Sequence, residues 1–206
     1  MYPSLPRERS LVSFMTDSNY IACEVTKSFA GKTVLNKISF QLRKGELLLV
    51  TGNNGSGKTT LLKLLAGIYK ADSGQLEMRG DVSYYGTDLY LYGPMSVAEN
   101  LEYFAALCGI SKEKVNQSIE LWELSEVLGS QVRSLSSGQK CKVSIARACL
   151  QQAQIYLFDE PLRMLDQKGR NAFITQLNAL TADSSVIVTT HQANFFEALS
   201  SSIIKL

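Results

Sequence analysis

The clearest chemistry in the chain lies in Gly52-Asn53-Asn54-Gly55-Ser56-Gly57-Lys58-Thr59, continued by Thr60. Glycines let backbone N–H groups curl around the α- and β-phosphates of a nucleotide. A lysine placed just after them reaches the β- and γ-phosphates, and the next hydroxyl can ligate Mg²⁺. Chance reproduces these residue types at this spacing in under roughly 1% of chains of such length, given average glycine usage of about 7%. The residues therefore predict a nucleoside triphosphate site.

A second constellation is acidic. Ile155-Tyr156-Leu157-Phe158 ends in Asp159-Glu160. A carboxylate at a strand end can hold Mg²⁺ through water, and its neighbour can act as base toward an attacking water. Acidic pairs after strands are common, and the upstream phosphate loop is what gives this one its meaning. A third constellation, Leu135-Ser136-Ser137-Gly138-Gln139, precedes a helix containing Val143, Ile145, Ala146, Ala148 and Cys149. As an ordinary N-cap it needs no ligand. As a second phosphate site it offers hydroxyls, a bare glycine backbone and a positive helix end. One nucleotide does not easily touch both loops within one subunit, so this site points to a partner subunit.

These residues need elements to place them. The apolar runs Leu47-Leu48-Leu49-Val50 and Leu61-Leu62-Lys63-Leu64-Leu65 flank the loop as strand and helix. Strands are predicted over Tyr20 to Val25 and Val34 to Leu42 around Gly31-Lys32, and over Gln75 to Met78 and Asp81 to Tyr85 around Arg79-Gly80. Ser96 with Glu99 forms a capping box for a helix to about Leu107. Val115, Ile119 and Trp122 place a second helix over Lys112 to Leu124, with Trp122 as packing. Then come a helix over Lys168 to Leu180, a buried strand Val186 to Thr190, a short helix Ala193 to Leu199 and a closing strand at Ile203-Ile204. This alternation predicts an α/β fold with a mainly parallel sheet and helices on both faces. Ligands in such folds sit at the carboxyl ends of the strands, where the glycine loop, Asp159 and His191 fall.

A length of 206 residues fits one large domain with subdomains. Lys and Arg number 21 against 19 Asp and Glu, so the net charge of +2 leaves no electrostatic footprint for nucleic acid. Cys23, Cys108, Cys141 and Cys149 form no C-x-x-C pair and lie in or beside apolar stretches, as reduced core thiols in a cytosolic setting do. Residues 1–17 read as a flexible lead-in without a signal segment. No apolar run approaches the roughly 18 residues of a membrane span, so a membrane role requires partner subunits.

Taken in order, the phosphate loop, Leu135 to Gln139, Asp159-Glu160 followed by Pro161, Asp166 and His191 make the chain from about Tyr20 resemble an ATP-binding cassette, the nucleotide-binding subunit of ABC transporters. The resemblance implies a domain over 18–206 with a phosphate-loop core, a small antiparallel β subdomain and a helical subdomain over about 88–151. It implies that Phe29 stacks on adenine and that His191 contacts the γ-phosphate. Asp88, counted back from Glu99-Asn100-Leu101, falls where the family has a glutamine that senses Mg²⁺ and the membrane partner. The family pattern further implies a head-to-tail homodimer, with each ATP held by Lys58 of one copy and Ser136, Ser137, Gly138 and Gln139 of the other. Transmembrane transporter subunits would hold the cassette peripherally at the cytoplasmic face of the cell membrane. Within the family, Gly57 to Leu62, Ala98 to Leu101 and Thr189-Thr190-His191-Gln192 are similar to the ATPase of the haem exporter used in cytochrome c maturation.

Three positions depart from the family pattern. Asp88 is an acceptor-only carboxylate in place of an amide, Ser137 stands where glycine is usual, and Leu162-Arg163-Met164 replaces small residues before Asp166. These departures predict slow turnover or a modified member of two composite sites, and they motivate a second reading as a nucleotide-binding regulator with little turnover. A third reading, a soluble ABC protein acting on nucleic acid or ribosomes, expects two cassettes in one chain or a long coiled-coil insertion. The sequence has neither.

Overall fold

The structure, a computed structural model, describes residues 18–86, 89–196 and 198–206, the first six by backbone alone. The lead-in expected over 1–17 lies outside them. In chain order the elements are β1 (Ser18–Phe29), β2 (Lys32–Arg43), β3 (Leu47–Thr51), α1 (Lys58–Leu65), β4 (Ser73–Met78) and β5 (Val82–Tyr85). There follow α2 (Val97–Leu107), α3 (Lys112–Leu121), α4 (Ser137–Leu150), β6 (Ile155–Asp159), α5 (Gln167–Thr181), β7 (Ser185–Thr190) and β8 (Ser202–Lys205).

Five strands form one sheet in the order β5-β6-β7-β3-β8, parallel at every junction. The strands β2-β1-β4 form a separate antiparallel sheet. Period-two alternation divides the core in two. Leu47, Leu49, Tyr156, Phe158, Val186 and Val188 pack with α2 to α5. Leu48, Val50, Ile155, Leu157 and Ile187 face α1 and the antiparallel sheet. Burial on both faces is why these strands read as unbroken apolar runs. Helices cover both faces as expected, α2 to α5 on one and α1, beside the antiparallel sheet, on the other. β4 and β5, though consecutive, belong to different sheets, so Arg79-Gly80 carries the chain from one to the other.

Two helical expectations are corrected. The helix predicted over Lys112 to Leu124 stops at Leu121, with Trp122 as its C-cap and Glu123 in the left-handed region at φ 51°. The Leu124 N–H then donates to Ile119 and that of Glu123 to Glu120, the paired bonds that close a helix end. The helix predicted over Ala193 to Leu199 is, among the described residues, a 3₁₀ turn over Ala193–Phe195. Three-residue bonds there tuck Phe196 into the core against Phe173 before the chain enters β8.

Candidate functional site

Because β6, β7 and β3 are neighbours, Asp159-Glu160, Thr190-His191 and Gly52 leave the sheet side by side at its carboxyl edge. A cavity of about 710 Å³ opens at this edge. Its walls include Asn54, Gly55, Gly57, Lys58, Thr59 and Thr60, the acidic pair, and Ser137, Lys140 and Cys141 of α4. Arg163 and Met164, marked by sequence only as departures from the family pattern, also line it, as do Val34, Tyr85 and Leu89, which sequence did not single out. Burial pushes the Tyr85 hydroxyl and the Cys141 thiol up from their ordinary pKa values, and the two share a 3.1 Å hydrogen bond. Both are therefore neutral at pH 7, so the cavity's charge comes from Lys58, Lys140 and Arg163 against Asp159 and Glu160.

The loop is shaped to receive an anion. Gly57 caps α1 at φ 106° with no side-chain bond to the helix. A Cβ on Gly57 would lie 2.9 Å from Leu35 Cδ2 and 3.1 Å from the Val34 carbonyl, so packing on β2 demands glycine. This glycine cap leaves the first N–H groups of α1, where the helix end is positive, without a capping side chain. Ser56 Oγ is buried with no hydrogen-bond partner among the described residues. Lys58, 6% exposed, donates to the Gly52 and Asn53 carbonyls at 2.8 and 3.0 Å and stands 3.5 Å from Glu160 Oε1.

The acidic pair is held from several elements. Asp159 Oδ2 accepts from the Thr59 hydroxyl at 2.7 Å, and Oδ1 accepts from the Thr189 hydroxyl at 2.6 Å. Glu160 has φ 50°, and its Oε2 pairs with His191 Nδ1 at 2.8 Å. A carboxylate only accepts, which puts the imidazole proton on Nδ1 and leaves Nε2 to accept from the Gln192 amide at 3.4 Å.

The remaining sequence candidates are placed differently. Ser136 and Gln139 satisfy each other in a capping box at the start of α4, while Ser137 faces the same cavity as the phosphate loop. A Cβ on Gly138 would come 3.2 Å from the Met164 carbonyl, so this glycine lets the 161–166 loop lie against α4. Of the residues departing from the family pattern, Leu162 is buried in the core, and Arg163 and Met164 are exposed at the cavity. Phe29 is 41% exposed, away from the cavity wall, and meets Tyr69 edge-on at 5.4 Å. Asp88 lies outside the described residues. Cys108, Cys141 and Cys149 are free thiols, and Trp122 is buried packing. Among the described residues no cluster of three or more His, Cys, Asp or Glu side chains could hold a metal, and no helix is long and apolar enough to cross a membrane.

A glycine cradle at a helix start, a buried lysine and a hydroxyl bonded to a strand-end carboxylate define a phosphate-loop ATPase. The family model described as "ABC transporter" matches residues 35–163, and the chain belongs to that family, with the fold of its ATP-binding subunit. An ABC transporter ATP-binding protein of Methanocaldococcus jannaschii is 33% identical over 85% of this chain and 69% of its own. The cytochrome c biogenesis ATP-binding export protein CcmA of Cupriavidus necator is 34% identical over 80% of this chain and 79% of its own. The sn-glycerol-3-phosphate import ATP-binding protein UgpC of Cereibacter sphaeroides is 32% identical over 82% of this chain, which spans only 53% of that relative's length. Among solved structures, an ATP-binding subunit of an ABC transporter superposes with a TM-score of 0.83 at 23% identity, covering 92% of this chain and 86% of that one.

Proposed function

We propose that the chain binds and hydrolyses MgATP as one of a pair of cassettes, and that closure of the pair drives separate transmembrane subunits. The observation that supports this best is the double pairing of Glu160 with Lys58 and His191. An anion already engages the two groups that a γ-phosphate would engage. Arrival of that phosphate releases Glu160 to act as base.

The phosphate loop from Gly52 to Thr60 would wrap the phosphates, and the partly exposed ring of Phe29, beside Tyr69 and Lys27, would stack on adenine. The Thr59 hydroxyl and Asp159 would hold Mg²⁺, with Asp88 near it by sequence position. When bound, Mg²⁺ neutralises charge on the β- and γ-phosphates. Glu160 would take the proton of a water attacking the γ-phosphorus as the bond to the β-phosphate oxygen breaks. His191 would hold the γ-phosphate. Ser136, Ser137, Gly138 and Gln139, within a helical subdomain over about 88–151, would serve the ATP of the second copy. Export of haem in cytochrome c biogenesis is the cargo reading that the matching short blocks and the Cupriavidus necator relative support, the latter covering about four fifths of both chains.

Isothermal titration with MgATP tests the site. Lys58→Ala is expected to lose at least about 100-fold in affinity, since charge-assisted bonds contribute about 1.5–3 kcal/mol each. Wild-type affinity in that variant would sink the phosphate-loop assignment. With the membrane subunits present, haem should stimulate turnover. Stimulation by glycerol 3-phosphate in its place overturns the cargo.

A further inference from the structure

We propose that Thr189 is a positioning residue that fixes the Asp159 carboxylate and the Glu160 backbone at once, an inference that rests on reading the site as one for MgATP. Thr189 lies near the end of β7 and pairs in parallel register with Asp159 at the end of β6. Alternation sends Leu157 and Ile187 toward α1, and Asp159 and Thr189, two residues further along each strand, point the same way. Both therefore meet the element that carries Thr59.

Thr189 is 0% exposed, and its hydroxyl has one proton to give and lone pairs to receive. The proton goes to Asp159 Oδ1 at 2.6 Å, while the oxygen accepts the Glu160 N–H at 3.0 Å. The Thr189 carbonyl takes the same N–H at 3.2 Å. Asp159 is thus clamped between two hydroxyls, since Thr59 holds Oδ2 at 2.7 Å. Glu160 needs the second bond because its φ of 50° is a left-handed conformation that costs a non-glycine residue about 1 kcal/mol or more. One hydroxyl ties the metal-side carboxylate to the backbone that carries the base. Valine at 189 keeps shape and burial but removes both hydroxyl bonds, leaving Oδ1 of a buried carboxylate without that donor.

The test compares wild type, Thr189→Val and Thr189→Ser. Wild type must first bind ATP more tightly with Mg²⁺ than in EDTA. If it does not, the MgATP reading and the role of Thr189 fall together. With that established, Mn²⁺ binding to ATP-loaded protein, read by electron paramagnetic resonance, should weaken about 10- to 100-fold in Thr189→Val, the range for residues that orient metal ligands. ATP affinity in EDTA should stay unchanged, and kcat should fall with KM for ATP held. In nucleotide-free protein the amide of Glu160 should exchange its hydrogen faster in Thr189→Val. Thr189→Ser should recover metal affinity, kcat and slow exchange. A merely structural role would lower Tm without separating metal from nucleotide binding and without rescue by serine. Wild-type metal affinity and kcat in Thr189→Val overturn the proposal. If the valine variant does not fold, Thr189→Ala read against Thr189→Ser makes the same comparison.

Discussion

Glu160 answers to three neighbours: Lys58 on one oxygen, His191 on the other, and Thr189 through the backbone. In the proposed mechanism a base tied to a cation and a donor is poorly placed to take a proton, so turnover would depend on a phosphate competing for those partners. Removing His191 frees one oxygen of Glu160 but also deletes the Nδ1 donor that, in the proposed mechanism, passes from Glu160 to the γ-phosphate. The second effect outweighs the first, because one such preorganised donor contributes about 100- to 1,000-fold to kcat. His191→Ala is therefore expected to lower kcat by about 100-fold while ATP binding stays close to wild type, because Lys58 and the loop N–H groups remain. Steady-state hydrolysis beside an ATP titration checks this, and a kcat near wild type would remove His191 from the mechanism. That Lys58, Asp159 and Glu160 would meet at one site was legible because loop and acidic pair are contiguous motifs at strand ends. Thr189 was not: its partner Asp159 lies 30 residues away, and a threonine in a strand is unremarkable until the register is known.

Helix ends decide how the site's elements begin and stop. Asp166 caps α5 by accepting the Gly169 N–H at 2.8 Å, and Lys142 of α4 pairs with it at 3.2 Å. The Gly169 bond and then Lys142 hold this carboxyl below its ordinary value of 3.8. A group depressed on folding stabilises fully above its unfolded value, and that contribution is lost as pH falls through the lower folded value. Asp166→Ala should cost about 1 kcal/mol and lower Tm by about 2–4 °C at neutral pH. In acid below 3.8 the gap to wild type should close, as thermal melts across pH will show. A constant gap would mean that packing, and not the charge, accounts for the loss. Capping boxes at Ser96 and Ser136 are local in sequence, and the Ser96–Glu99 box marked the start of α2 correctly. The end of α3 was misread because Glu123, not glycine, takes the left-handed position there. Nor could sequence assign β4 and β5 to different sheets, since each pairs with a strand far away in the chain.

At the scale of the molecule, the cavity brings three cations and two carboxylates to one opening shared by the phosphate loop and α4. Glu160→Gln removes one negative charge beside the incoming γ-phosphate. The amide still accepts from His191 but cannot take a proton from water. ATP should therefore stay bound, and the state in which each nucleotide bridges two copies should accumulate. A net charge of +2 per chain opposes pairing only weakly, and physiological salt screens it beyond about 8 Å. Light scattering on Glu160→Gln with saturating MgATP should give twice the 22.7 kDa chain mass, and without nucleotide the single mass. Adding Gly138→Asp should return the monomer, because the new carboxylate would repel the phosphates of the partner's nucleotide. A monomer at saturating nucleotide in Glu160→Gln alone would place the drive for pairing in the membrane subunits and not in this chain.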